Sequence, residues 1–299
     1  MISRLGFICG SSAFAVLGAG AAGAKTADFK LKLEKLSLSV GASKPFTVLH
    51  VSDTHLTQAT AAELLLASEK DRELHERRSK ALTRNAKAFA ASVDYAKEHG
   101  FRLVHTGDLI DYCSEGNIAA AKDGLSGMDA LVCPGNHEIV GFPSSETPKS
   151  AETAAKLMTR LESAYGTRFL VSSQELNGVR FVAFDNGGLS KWRVKEQIAT
   201  LEAELDKPAP MVILCHLPPY EETLLAELRR REKNGRQKPP HAYMMMNERI
   251  NRMIAESTNV KAILCGHLHF SWRGSFNGRI PLCVAPANLS GYAVEVAFV

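Results

Sequence analysis

Five short stretches of the chain carry side chains that ligate metals. They are Ser52-Asp53-Thr54-His55, Thr106-Gly107-Asp108, Gly135-Asn136-His137-Glu138, Cys215-His216 and Gly266-His267-Leu268-His269. Carboxylate, amide oxygen and imidazole are hard to borderline donors. Imidazole suits Zn, Fe and Mn, and carboxylate suits Mn and Mg, so the set points to transition metals rather than calcium. There are donors enough for two ions that share a bridge, and an aspartate can bridge because its two oxygens diverge. Two metals about 3.5–4 Å apart lower the pKa of a shared water and clamp a phosphoryl group for in-line attack. Cys215 and Cys265 adjoin His216 and His267, but harder donors stand beside them.

Each stretch follows an apolar run: Phe46 to Val51, Phe101 to Val104, Ala130 to Cys133, Met211 to Leu214 and Val260 to Leu264. Such runs, stopped by polar or Pro-Gly residues, read as buried strands that end in tight turns. Ligands of open α/β sheets collect at the C-terminal ends of the strands. Alternate residues of an extended strand end project the same way, which would aim Asp53 with His55, and His267 with His269, at one site.

The remaining chain supplies the scaffold. Phe29 to Val40 alternates as a half-exposed edge strand, with a phase slip at Glu34-Lys35 that a β-bulge would explain. Ala61 to Lys97 reads as helix, stopped by Gly100. Its charged middle, Ser68 to Lys80, is either a solvated face or an insertion that leans over the site. Helices are expected over Asn117 to Asp123, Ala151 to Tyr165, Arg193 to Leu205, Glu222 to Arg231 and Met244 to Glu256. Strands are expected over Phe169 to Val171, Val179 to Phe184 and Ala293 to Val299. Asn277-Gly278 between two further strands signals a type I′ hairpin. No linker interrupts this alternation, which predicts one α/β domain over residues 25–299.

The five motifs, in this order and each after a strand, resemble the calcineurin-like metallophosphoesterase superfamily, from Asp53 to His269. The resemblance implies a β-sandwich flanked by helices on both sides, a four-layer α/β/β/α fold. It also implies a metal pair (Mn, Fe or Zn, divalent or mixed-valence). Asp53, His55, Asp108 and His269 would hold one ion, and Asp108 would bridge to a second held by Asn136, His216 and His267. Gly107-Asp108-Leu109-Ile110-Asp111 fits the family's Gly-Asp-x-x-Asp form. Purple acid phosphatases carry tyrosine at the place of Asp111 and lack the His55 equivalent. Serine/threonine protein phosphatases follow this aspartate with arginine, where Tyr112 stands here. Both branches are disfavoured. His137 is not a ligand in the family. It is placed to protonate the leaving oxygen, and Asp111 to orient it. The implied activity is hydrolysis of phosphate mono- or diesters by a metal-bound hydroxide. A nuclease, a cyclic-nucleotide phosphodiesterase and a secreted non-catalytic metal-binding protein are the rivals. The full ligand set, together with Asp111 and His137, argues against the last.

Composition sets the outer bounds. A hydrophobic fraction of 45% and a charged fraction of 23% are those of a folded globular protein rather than a disordered one. A net charge of +4 does not by itself argue for a nucleic-acid or a membrane partner, and a small phosphorylated substrate is what the resemblance implies. Residues 1–24 have the layout of a secretory signal peptide, with Arg4, an apolar stretch from Leu5 to Leu17, and Ala22-Gly23-Ala24 before Lys25. Cleavage there would leave no membrane span and an exported chain, periplasmic or extracellular; an uncleaved membrane anchor is the rival. The five cysteines beyond it sit in or beside apolar runs and read as buried thiols. His50 and His105 lie at odd offsets from motif aspartates and read as structural. Asp185-Asn186 is a turn or a site edge. The basic run of Arg229, Arg230, Arg231, Lys233, Arg236 and Lys238 is a solvated face or a substrate contact. Met244-Met245-Met246 reads as core. The loops at 57–80, 141–150 and 218–243 choose the substrate and carry no readable motif.

Overall fold

The computed structural model describes residues 29–232 and 238–299. The expected signal peptide, and Lys233 and Arg236 of the basic run, lie outside them. The apolar runs form strands β1 (Lys32–Leu38), β2 (Phe46–Val51), β3 (Arg102–Thr106), β4 (Ala130–Cys133), β5 (Val171–Leu176) and β6 (Val179–Phe184), followed by β7 (Met211–Leu214), β8 (Val260–Cys265), β9 (Trp272–Phe276), β10 (Ile280–Val284) and β11 (Tyr292–Phe298). They build two sheets, ordered β1-β11-β2-β3-β4 and β5-β6-β7-β8-β10-β9.

The near-continuous apolar character of the inner strands has a direct cause: both faces are covered. On β2, Val48 faces the space between the sheets and Leu49 faces the helices. On β7, Val212 and Leu214 face inward while Met211 and Ile213 pack outward. The layer between the sheets is completed by Val104, Leu131, Phe181, Leu264, Val294 and Phe298. Helices α3 (Asn85–His99), α4 (Glu115–Leu125) and α5 (Ala151–Tyr165) cover the first sheet. Helices α6 (Val194–Leu205), α7 (Glu222–Arg231) and α8 (Glu248–Glu256) cover the second. This is the expected four-layer arrangement. No helix among the described residues is long and apolar enough to cross a membrane.

Several local expectations are corrected. The helix expected over Ala61 to Lys97 is three: α1 (Ala61–Leu66), α2 (Glu69–Ala81) and α3. Ser68 takes extended dihedrals and caps Asp71 N–H, which starts a new helix where the apolar count alone shows no break. β1 runs in continuous parallel register with β11, Lys32 opposite Tyr292 through Leu38 opposite Phe298, so there is no bulge at Glu34-Lys35. The strand expected at Phe169 begins at Val171, since Phe169 turns into the core and its carbonyl accepts from Asp185 N–H. α8 begins at Glu248, capped by Asn247, so Met244 and Met245 are buried in a loop ahead of it and Met246 is exposed. Asn277 and Gly278 have φ of 52° and 65°, as a type I′ hairpin requires.

Candidate metal centre

Every motif lies at the C-terminal end of a parallel strand, and the two sheets bring those ends together. β2, β3 and β4 present Asp53, His55, Asp108 and Asn136, while β7 and β8 present His216, His267 and His269. The pleat does not aim them. Asp53, His55, Asp108, His267 and His269 all have positive φ, between 52° and 71°. The strands end before them, and alternate left-handed residues coil the loop so that Asp53 and His55 return to the same side. Asp and His tolerate this conformation better than most residues, though each instance costs about 1–3 kcal/mol. Two glycines allow the closest approaches. A Cβ on Gly135 would collide with Asp108 Oδ1, and one on Gly266 would overlap Ser52 Oγ.

Three groups of donors lie close enough to hold a metal ion: Asp53 with His55 and His269, His55 with Asp108 and His137, and Asp108 with His216 and His267. Asp108 belongs to two of them. Its Oδ2 is 3.1 Å from His216 Nε2 and 3.7 Å from His55 Nε2. Asp53 Oδ1 is 3.3 Å from His269 Nε2. The facing histidines close the ring, with His55 Nε2 3.2 Å from His269 Nε2 and His267 Nδ1 3.2 Å from His216 Nε2.

In three of the four donor histidines the outward ring nitrogen is tied to an acceptor. His55 Nδ1 donates to Asp111 Oδ1 (3.1 Å), His216 Nδ1 to the Thr106 carbonyl (2.8 Å) and His267 Nε2 to the Ala242 carbonyl (3.1 Å). A ring that donates outward keeps its other nitrogen's lone pair for the site, which is how protein groups fix a metal-ligating tautomer. Asn136 Oδ1 is buried and accepts no hydrogen bond among the described residues. A buried oxygen left without a donor is a group that a cation satisfies. Asp53 and Asp108 are fully buried. Burial opposes their ionisation, but the surrounding histidines outweigh it and hold both well below the usual carboxylate range. Burial likewise opposes charge on His216, yet Asp108 overrides it and pushes the pKa up to about 10, so a proton and a metal ion compete for Nε2. The site therefore concentrates negative charge that positive charge must balance, and the donor set fits a metal pair.

His137 stands at the open side. Its side chain is 28% exposed, against 3% for His55, 0% for His216 and 46% for His269, so a substrate's outer atoms can reach it. Its Nδ1 donates to the Asp111 carbonyl at 2.8 Å and lies 3.2 Å from Asp111 Oδ1. Burial works against its charge, but Asp111 and Asp108 outweigh burial and push the pKa up to about 9.

Three contributors carry no spacing signal in the sequence. Glu138 is fully buried and accepts N–H groups of Gly135 (2.7 Å), Leu109 (2.9 Å) and Asp108 (3.2 Å), with the Tyr165 hydroxyl at 3.1 Å. It thereby staples two motif loops together, and its place right after His137 was the available clue. Asn186 accepts from His216 N–H and Leu217 N–H, both at 3.0 Å, so Asp185-Asn186 is a site edge and not merely a turn. Arg78, from the charged middle of the insertion, meets Asp111 with Nε 2.6 Å from Oδ2 and with Nη2 on Oδ1. α2 therefore leans over the site.

The remaining candidates fall away from it. His50 and His105 hydrogen-bond Thr106 and Thr54 at 2.9 Å inside the fold. Arg230 and Arg231 are tied back to Glu227. Cys215 and Cys265 are buried free thiols whose pKa burial raises, so neither presents a thiolate.

The profile of the family described as calcineurin-like phosphoesterase matches residues 46–271. A cAMP/cGMP dual specificity phosphodiesterase of Mycobacterium tuberculosis is 27% identical over 277 residues, covering 84% of this chain and 70% of the relative. Among solved structures, a dimetal phosphatase from Danio rerio is similar with a TM-score of 0.48 at 14% identity, over 82% of this chain and 88% of the other. A phosphopantetheinyl hydrolase from Mycobacterium tuberculosis is similar with a TM-score of 0.45 at 12% identity, over 81% and 90%.

Proposed function

The chain belongs to the calcineurin-like phosphoesterase family and is a metal-dependent phosphoesterase, and from that premise we propose that it hydrolyses phosphate mono- or diesters at a two-metal centre. Asp53, His55, Asp108 and His269 would hold one ion, and Asp108, Asn136, His216 and His267 the other. The observation that carries this reading is the placement of Asp108 Oδ2 between His55 Nε2 and His216 Nε2, at 3.7 Å and 3.1 Å. One carboxylate reaches both donor sets, as a bridge must.

When bound, two divalent ions supply an activated water and a clamp on the phosphoryl oxygens. The chain's own residues do the rest. The main-chain N–H of His137 donates to Asp108 Oδ1 at 2.9 Å, which leaves Oδ2 for the donor rings, and that of His267 is shared by both oxygens of Asp53, at 2.9 Å and 3.1 Å, which fixes that carboxylate in place. His137, held at Nδ1 by Asp111, keeps Nε2 for the departing ester oxygen and hands it a proton.

A cyclic nucleotide phosphodiester is the second reading, supported by the name of the Mycobacterium tuberculosis relative. Both readings are tested on metal-free protein reconstituted with Mn, Fe or Zn and assayed on p-nitrophenyl phosphate, bis-p-nitrophenyl phosphate, cAMP, cGMP, other nucleotides and phospholipid head groups. We expect turnover that requires added metal. Two ions bound per chain with no turnover on any of these substrates would leave a non-catalytic metal-binding protein. Residues 1–24 support a further proposal, that the enzyme is exported.

A further inference from the structure

Asp111 serves more partners than one carboxylate easily holds. Its side chain is 1% exposed. Oδ1 takes His55 Nδ1 at 3.1 Å, lies 3.2 Å from His137 Nδ1, and also meets Arg78 Nη2. Oδ2 takes Arg78 Nε at 2.6 Å. The two imidazoles both approach Oδ1, from rings that meet edge to face with centroids 4.5 Å apart, and the single Nδ1–H of His137 is shared between Oδ1 and the Asp111 main-chain carbonyl at 2.8 Å. Two donors on one oxygen constrain the position of that oxygen but not the plane of the carboxylate. The guanidinium supplies the missing constraint, because a fork that bonds both oxygens fixes the plane as well as the place.

We infer that Arg78 is a positioning residue for hydrolysis: it locks the Asp111 carboxylate in the one orientation that holds His137 towards the leaving group. The inference rests on the proposed acid role of His137. Arg78 reaches Asp111 from outside the motif loops. It sits near the end of α2, whose other ties to the body of the protein include the Asp71 carboxylate to Ser144 N–H (3.3 Å) and hydroxyl (3.1 Å), His75 to the Tyr112 hydroxyl, and the His75 ring against Phe142. The rival reading is therefore that the Arg78 pair only seats α2, and the two readings give different outcomes.

The test is a double-mutant cycle on the metal-saturated full-length enzyme, with an alkyl phosphate ester and a p-nitrophenyl ester as substrates. Removing a group that orients a functional imidazole costs about 10–100-fold in activity. Arg78→Ala should lose that much kcat on the alkyl ester, much less on the p-nitrophenyl ester, and change KM by no more than about threefold. Arg78→Ala combined with His137→Gln should be no slower than His137→Gln alone, since residues that act as a unit are not additive. Arg78→Lys keeps the charge without the fork and should fail to restore the rate. Asp71→Ala loosens α2 without touching Asp111 and should keep the alkyl-ester rate within about threefold. As a readout independent of turnover, ¹⁵N spectra of the histidine ring nitrogens should show the His137 tautomer mixture change in Arg78→Ala and stay unchanged in Asp71→Ala.

Additive losses in the double mutant, full activity of Arg78→Lys, or an Asp71→Ala loss equal to that of Arg78→Ala would each overturn the inference. If His137→Gln itself shows no dependence on the leaving group, the acid role has failed instead, and the single mutant reveals that separately.

Discussion

Asp108 Oδ2 is within 4 Å of three histidines, His55, His137 and His216, so no other carboxylate in the site is as exposed to the loss of one charge. Asp108→Asn removes the negative charge that both donor sets share. We expect it to abolish turnover and to lower bound metal, as read by elemental analysis of purified protein. Two ions per chain with near-normal activity would refute the bridge. His137 differs, because its ring is not among the proposed metal donors and its substitution leaves His55 its own bond to Asp111. His137→Gln should keep both ions and lose little rate on p-nitrophenyl esters, whose leaving group departs unaided. On alkyl esters it should lose about 10²–10⁴-fold, the usual worth of a positioned acid. Equal losses on both substrates would leave His137 as electrostatic support only.

At the scale of elements, the site is a set of loops that hold one another. Glu138 makes the strongest of these links, across the turns after β3 and β4. Its pKa is pushed up to about 7, first by burial and then by Asp108, while the Gly135 N–H opposes the shift. Glu138→Ala would leave the N–H groups of Gly135, Asp108 and Leu109 buried without an acceptor, and each such group costs about 1–3 kcal/mol. We expect a loss of at least about 3 kcal/mol in unfolding free energy, seen by calorimetry as a large fall in Tm. Glu138→Gln keeps one acceptor oxygen and should lose less. An alanine variant as stable as the parent would mean that the two turns stand without the staple. Asn186 makes a weaker link of the same kind, from the end of β6 to the turn after β7. Asn186→Ala should weaken metal binding about tenfold, measured by competition with a chelator, with the fold intact.

For the whole molecule, metal binding and stability are linked. An ion that binds only the folded chain stabilises it by RT ln(1 + [L]/Kd), about 2.7 kcal/mol at a hundredfold excess over Kd. Tm should therefore rise on titration with Mn or Zn and fall back when a chelator is added. No change in Tm with metal would contradict a resident metal pair. Export is a second property of the whole chain. N-terminal sequencing of protein from the native host should begin at Lys25, and a soluble cytoplasmic form with Met1 intact would refute the proposal.

The sequence by itself determined the strands and what stands at their ends. Burial on both faces demands apolar residues throughout β2, β3, β4, β7 and β8, so each strand is legible as a run, and its end as the first polar turn. The seven donors, together with Asp111 and His137, are legible because they follow those runs in a fixed order. The same local signals failed where long-range contact decides. Only the tertiary structure ends the helix at Leu66 and restarts it at Glu69, with Asp71 reaching across to Ser144. Only the tertiary structure turns Asp53 and His55 to one side through left-handed backbone, a conformation that an isolated strand end would not choose. Arg78 is the clearest case. Its neighbours Arg72, Arg77 and Lys80 share its composition, and what singles it out is the carboxylate of Asp111, 33 residues away along the chain. Burial is averaged over a whole strand and leaves a pattern that can be read locally. A single ion pair across the fold depends on where two distant segments meet, and that is set only when the layers pack.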